Sequence, residues 1–123
     1  MFAAPRSPRR ACSLRDDCLF CRLVREGDHV NAGDGFVAIR DINPQAETHL
    51  LVLPERHVDT FRDVEEFPPE EASRMLAFVA DTARGAELED YRVVVNVGPG
   101  AGQTVFHLHW HILAGGLGRM TQL

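Results

Sequence analysis

His107-Leu108-His109-Trp110-His111-Ile112-Leu113 decides how this chain is read. Side chains alternate across an extended segment. A strand over Thr104–Leu113 therefore puts Phe106, Leu108, Trp110 and Ile112 on one face and His107, His109 and His111 on the other. The apolar set packs a core. The histidines, about 7 Å apart along the strand, line a groove. A lone histidine on a sheet is normally a hydrogen-bonded structural residue, but three on one face, out of six in the chain, point to a site.

The segment just before it, Gly98-Pro99-Gly100-Ala101-Gly102-Gln103-Thr104, is rich in residues that let backbone N–H groups converge on an anion. It is not a P-loop, since no Gly-Lys-Ser/Thr follows. A glycine-rich turn also serves as a plain hairpin connection; its place directly before the histidines favours a phosphate site. From Tyr91 to Leu123 there is no Asp or Glu, while Arg92 and Arg119 are present, which favours an anionic substrate. A histidine-based oxygenase site would add a carboxylate. The strand supplies none, although Asp41 or a distant residue can reach in. Nucleotidyl transfer through histidine needs a neutral imidazole to attack phosphorus, an acceptor for its other nitrogen, donors for the phosphate oxygens and an acid at the leaving group. His109 is the natural nucleophile, with a flanking histidine to assist.

Working outward, Tyr91–Val97 reads as a strand, and Phe36–Ile39 and His49–Leu53 as two more, joined antiparallel through Asp41-Ile42-Asn43-Pro44. Ala72, Met75, Leu76, Val79 and Ala83 recur at helical spacing between Pro68-Pro69 and Gly85, predicting one long helix over Pro69–Arg84. Asp16 or Asp17 can cap a short helix with Leu19, Phe20, Leu23 and Val24 on its apolar stripe and Gly27 as its stop. The expected fold is α+β: an antiparallel sheet of about five strands with one long and one short helix.

The 123 residues make one domain, expected over 16–123, behind a basic leader over 1–15 in which Arg6, Arg9, Arg10 and Arg15 meet no acid. That leader lacks the apolar core of a secretion signal. All 13 basic residues are Arg, and the net charge of −5 argues against general nucleic-acid binding. No apolar run approaches the roughly 20 residues of a membrane span. Three cysteines clustered at one end are a poor disulfide framework and fit a reducing cytoplasm. Cys18, Cys21, His57 and His107 make up a tetrahedral zinc donor set by type; equally, Cys18 and Cys21 can be a small buried apolar pair and His57 a surface residue.

Together these residues resemble the histidine triad family, whose pattern His-φ-His-φ-His-φ-φ, with φ hydrophobic, matches His107 to Leu113. Asp41 to His57 is similar to the family's second signature and Asn96 to Thr104 to its phosphate loop, so the resemblance runs from about Cys18 to Gly116. Gly102-Gln103-Thr104-Val105 and Ala114-Gly115-Gly116 are most similar to the Hint branch, which hydrolyses adenosine phosphoramidates. The resemblance implies that His109 is the nucleophile, that His111 assists at the phosphate or leaving group, and that His49 braces the nucleophile. It implies that Asp41 binds the ribose, that Phe20 and Ile39 flank the base, and that Asn96, Gly102, Gln103 and Thr104 hold phosphate oxygens. It further implies a structural zinc on Cys18, Cys21, His57 and His107, no organic cofactor, a purine nucleotide substrate and a homodimer. Four activities remain open at this point: a nucleoside phosphoramidase, a dinucleoside polyphosphate hydrolase of the same family, a non-catalytic nucleotide-binding regulator, and a metalloenzyme with the histidines as ligands of a catalytic ion.

Overall fold

The computed structural model of the chain describes residues 17–117; the expected leader over 1–15 and Arg119 lie outside them. In chain order the elements are α1 (Leu19–Glu26), β1 (Asn31–Gly33), β2 (Phe36–Arg40), β3 (Thr48–Pro54), 3-10 turns over Phe61–Glu66, α2 (Pro69–Gly85), β4 (Arg92–Val94), a 3-10 turn over Pro99–Ala101 and β5 (Trp110–Ala114). The five strands form one antiparallel sheet in the order β1-β2-β3-β5-β4. The α+β class, the five strands and the two helices are as expected. No helix among the described residues is long and apolar enough to cross a membrane.

The sheet is covered on both faces, which is why β2 and β3 are apolar nearly throughout. Residues directly opposite each other on paired strands share a face. Ala38, Val52 and Trp110 are linked in this way, and they pack with Phe36, Leu50 and Ile112 against Met75, Phe78, Val79 and Ala83 of α2. Val37, Ile39, Leu51 and Leu53 point the other way and pack against Phe20, Cys21 and Val24 of α1. Phe36, Leu53, Met75, Leu108 and Ile112 are fully buried, each worth about 1.5–3 kcal/mol of transfer free energy. α2 starts on Pro69 at its first turn, carries Glu70 and Glu71 there and Arg84 in its last turn, and so suits its own dipole.

Several expectations give way. α1 is capped not by Asp16 or Asp17 but by Cys18, whose Sγ accepts the Cys21 N–H. Leu19 and Leu76 face solvent, and Phe78 fills the core position on α2. The short strand β1 has no apolar alternation to announce it. β4 is shorter than Tyr91–Val97, and β5 covers only the end of Thr104–Leu113. The reason for the last lies in β3. The register Val52↔Trp110 would bring Leu108 opposite Pro54, which has no N–H to give the ladder. The Leu108 N–H goes instead to Val58 O at 2.7 Å. Phe106, freed from the sheet, is 40% exposed and does not join the core. His107 and His109 thus precede the strand, and only His111 stands on it.

Candidate active site

The face of the sheet covered by α1 carries the histidines, and two of its features bear on chemistry. The first is a chain of imidazoles. The Gln45 N–H donates to His49 Nδ1 at 3.0 Å, so the His49 ring proton sits on Nε2. That Nε2–H lies 2.9 Å from His111 Nδ1 and 3.3 Å from Asp41 Oδ2. His111 Nδ1 is therefore an acceptor, and its Nε2 bears the proton. His111 Nε2 is buried and has no partner among the described residues, a donor without an acceptor in the folded chain. Burial, then the nearby His109 and His49, brings the His111 pKa down to about 4, so the ring is neutral at pH 7.

The second is His109, whose ring stands 5.1 Å from that of His111. Its Nδ1 is 2.7 Å from His107 O. A carbonyl only accepts, so Nδ1 carries the proton and Nε2 keeps its lone pair. Burial lowers the His109 pKa from its ordinary value, the His107 carbonyl pulling the other way. The Phe20 ring meets His109 edge-on at 4.9 Å, and Ile39 lies in the same apolar cluster. What results is a neutral imidazole with one free basic nitrogen, an apolar wall on one side and an N–H donor on the other.

His49, expected to brace His109, reaches His111 instead; the brace on His109 is the peptide oxygen of His107. Asp41 Oδ1 accepts the Asn43 N–H, leaving Oδ2 beside His49. Asp41, His49 and His111 could be taken for a metal triad, since their ligand atoms lie within 4.8 Å of one another. The proton on His49 Nε2 opposes that reading, because its Nδ1 lone pair is already used.

The loop behaves differently from its expected role. Gln103 is buried; its Oε1 accepts the Gly98 N–H at 2.9 Å, and its Nε2 donates to Asp59 O and Val105 O. Its own N–H goes to Gly98 O, and the Gly102 N–H to Pro99 O. Neither residue has a donor left for phosphate: Gln103 braces the loop, and Gly102, at φ 97°, closes its turn. Asn96 has a carboxamide with no partner among the described residues and lines a cavity of about 280 Å³ with His49, His111 and Gln45. Thr104 lies apart from these, in a second cavity of about 340 Å³ with Cys18, His57 and Phe106.

Cys18, Cys21, His57 and His107 come together, all buried, with their donor atoms within 4.8 Å of one another. Cys21 Sγ is 3.1 Å from His57 Nδ1 and 3.4 Å from His107 Nδ1, and Cys18 Sγ is 3.5 Å from His107 Nδ1. A tetrahedron with zinc's bond lengths to sulfur and nitrogen has edges of about 3.4–3.8 Å, close to these spacings. Both imidazoles are held from behind, His57 Nε2–H by Asp59 at 2.7 Å and His107 Nε2–H by Pro54 O at 2.8 Å, as ligand histidines usually are. Burial pushes the Cys18 thiol up, but the neighbouring His107 and His57 rings and the Cys21 N–H outweigh it and bring it down to about 5. It is a thiolate at neutral pH, the form that binds metal. Asp59 and the Pro54 carbonyl escaped the sequence reading. Asp59 stands two residues after His57 and could have been flagged; a backbone oxygen leaves no mark in a sequence.

Comparison with known proteins supplies the family. The HIT domain model matches residues 23–116. The purine nucleoside phosphoramidase of Escherichia coli K12 is 33% identical over 107 residues, covering 83% of this chain and 90% of that protein. An uncharacterized HIT-like protein of Chlamydia trachomatis is 41% identical over 106 residues, covering 80% and 93%. The crystal structure of a HIT family hydrolase from Legionella pneumophila matches with a TM-score of 0.74 at 38% identity, covering 80% of this chain and 93% of that one. The chain belongs to the HIT family.

Proposed function

We propose that this protein is a nucleotide hydrolase that releases a purine nucleoside monophosphate from an amine conjugate such as adenosine 5′-phosphoramidate, through a covalent nucleotidyl-histidine. The observation that carries the reading is the His109 ring, with Nδ1–H tied to His107 O and Nε2 bare. The name of the Escherichia coli relative supplies the substrate class.

His109 Nε2 attacks the α-phosphorus, the P–N bond breaks, and the amine leaves with a proton taken from solvent. The His111 Nε2–H and the Asn96 carboxamide hydrogen-bond to the phosphate oxygens as charge shifts onto them. Water then attacks phosphorus, and the monophosphate departs, returning His109 to its neutral form. Phe20 and Ile39 form the wall for the base, and Asp41 Oδ2 meets the ribose. Rapid alkaline quenching of the reaction should leave one adenylyl group on the peptide that contains His109. Sustained turnover with no such adduct at any quench time speaks against the covalent route.

Zinc, where bound by Cys18, Cys21, His57 and His107, would supply structural cross-linking: the four protein donors complete its coordination and leave no position for water. Dimer formation is supported at β4, an outer strand with Val93 42% exposed and an edge unpaired among the described residues.

The depressed His109 pKa sets the pH dependence. Protonated His109 cannot attack, so activity is present above its pKa and is lost as pH falls through it. Since that pKa lies below 6.5, kcat/KM is expected to be flat from about pH 7 to 8, with its acid limb centred below 6.5. A limb centred above 6.5 would assign the titrating base to a group other than His109.

A further inference from the structure

The cavity beside His111 holds a cation that the reaction above does not use. Arg92 lines it with Val94 and Leu113 as well as Gln45, His49, Asn96 and His111. The residue is half-buried, and its guanidinium makes no hydrogen bond or ion pair with any described residue. No acid among the described residues lines the cavity. A cation that lines a cavity without a partner is placed to receive an anionic ligand.

The order of the strands says which part of a substrate comes here. Across the site face, Ile39 of β2 aligns with Leu51 of β3, His111 of β5 and Val94 of β4. The apolar wall of Phe20 and Ile39 lies on the β2 side, the nucleophile in the middle and Arg92 on the β4 side. A nucleoside held against Phe20 with its phosphorus at His109 leaves the β4 side open for the other substituent of phosphorus.

We infer that this cavity is the leaving-group subsite and that Arg92 selects amines carrying a carboxylate on a short aliphatic chain. About 280 Å³ is small beside ordinary drug-sized pockets. Val94 and Leu113 suit a few methylene groups, and the guanidinium fork suits a carboxylate. In the step itself, the His109 Nε2–P bond forms as the P–N bond breaks. The amine nitrogen takes its proton from solvent, and the carboxylate stays on Arg92 until the amine departs. The inference rests on the phosphoramidase reading for its chemistry, though not for its binding.

The test compares two AMP conjugates joined through P–N bonds, one to β-alanine and one to propylamine, whose nitrogens are similarly basic. For the full-length protein, kcat/KM for the β-alanine conjugate should be about tenfold higher, as expected of a charge-assisted pair in a partly buried site. In Arg92→Gln the ratio should fall to about one, and in Arg92→Lys it should be intermediate. A residue serving only the fold or a subunit contact would lower both substrates together and leave the ratio intact. Calorimetry on His109→Ala, where chemistry is stopped, should show the same tenfold preference in Kd, lost in the Arg92→Gln double variant. Equal values for the two conjugates in the wild type, or an unchanged ratio in Arg92→Gln, overturn the subsite. A binding preference without turnover of either conjugate overturns the phosphoramidase reading and leaves the subsite standing; no binding of either conjugate overturns both.

Discussion

His109→Ala is expected to lower kcat toward adenosine 5′-phosphoramidate by about four orders of magnitude or more, the scale seen when a covalent nucleophile is removed. The same variant should yield no adenylylated protein at any quench time. His111→Ala should fall less, by about 10²–10⁴-fold, since it removes a donor to the phosphate and not the bond-forming atom, and a labelled His109 should still be detectable in it. His109 is buried against Phe20, so the alanine variant leaves a cavity; His109→Asn, nearer in volume and still able to donate to His107 O, separates a chemical loss from a folding loss. Full turnover in His109→Asn, with a native-like melting transition, would sink the covalent mechanism.

Cys21→Ser is expected to abolish stoichiometric zinc binding and to lower Tm by about 10 °C or more. A ligand that binds only the folded chain, at about a thousand times its Kd, adds about 4 kcal/mol, and each kcal/mol moves the Tm of a domain of this size by several degrees. Cys21 is fully buried and touches both imidazoles of the cluster, so serine also leaves a harder, poorer donor where a thiolate should be. A chelator should shift wild-type Tm by a comparable amount and leave Cys21→Ser where it is, with metal content measured by atomic emission. Activity should decline only as the chelated protein unfolds. Instant loss of turnover in a chelated but still folded protein would instead indicate a catalytic ion, and a wild type with no zinc and no response to chelator would remove the metal from the account.

The alternation from His107 to Leu113 was legible because it depends on neighbours in the chain, and so were most of the α2 stripe, Leu76 excepted, and the turn between β2 and β3. What could not be read were contacts that join distant segments. Gln103 has the side chain of a phosphate ligand, yet its partners at Gly98 and Asp59 consume it, and Asp59 lies 44 residues away. The early end of β5 follows from a missing N–H at Pro54, visible only once the register is known. The donor types of the cysteine and histidine cluster were plain, but their convergence depends on Cys18 sitting at the cap of α1 and His57 just beyond β3. His49, which the family resemblance implies as the brace of His109, makes its hydrogen bond to His111 instead, a choice between two histidines two residues apart that only the folded geometry reveals.

The acceptor that sets the His109 tautomer is a peptide oxygen, and this has an evolutionary consequence. Where a side-chain carboxylate orients a catalytic imidazole, one base change in the gene can delete it. Here every amino acid that could replace His107 brings the same carbonyl. Drift at position 107 can displace the oxygen or strip the neighbouring cluster of a ligand, but it cannot remove the proton acceptor itself. The protonation of the proposed nucleophile is therefore inherited with the backbone, and lineages can gain or lose the cysteine and histidine cluster without changing it.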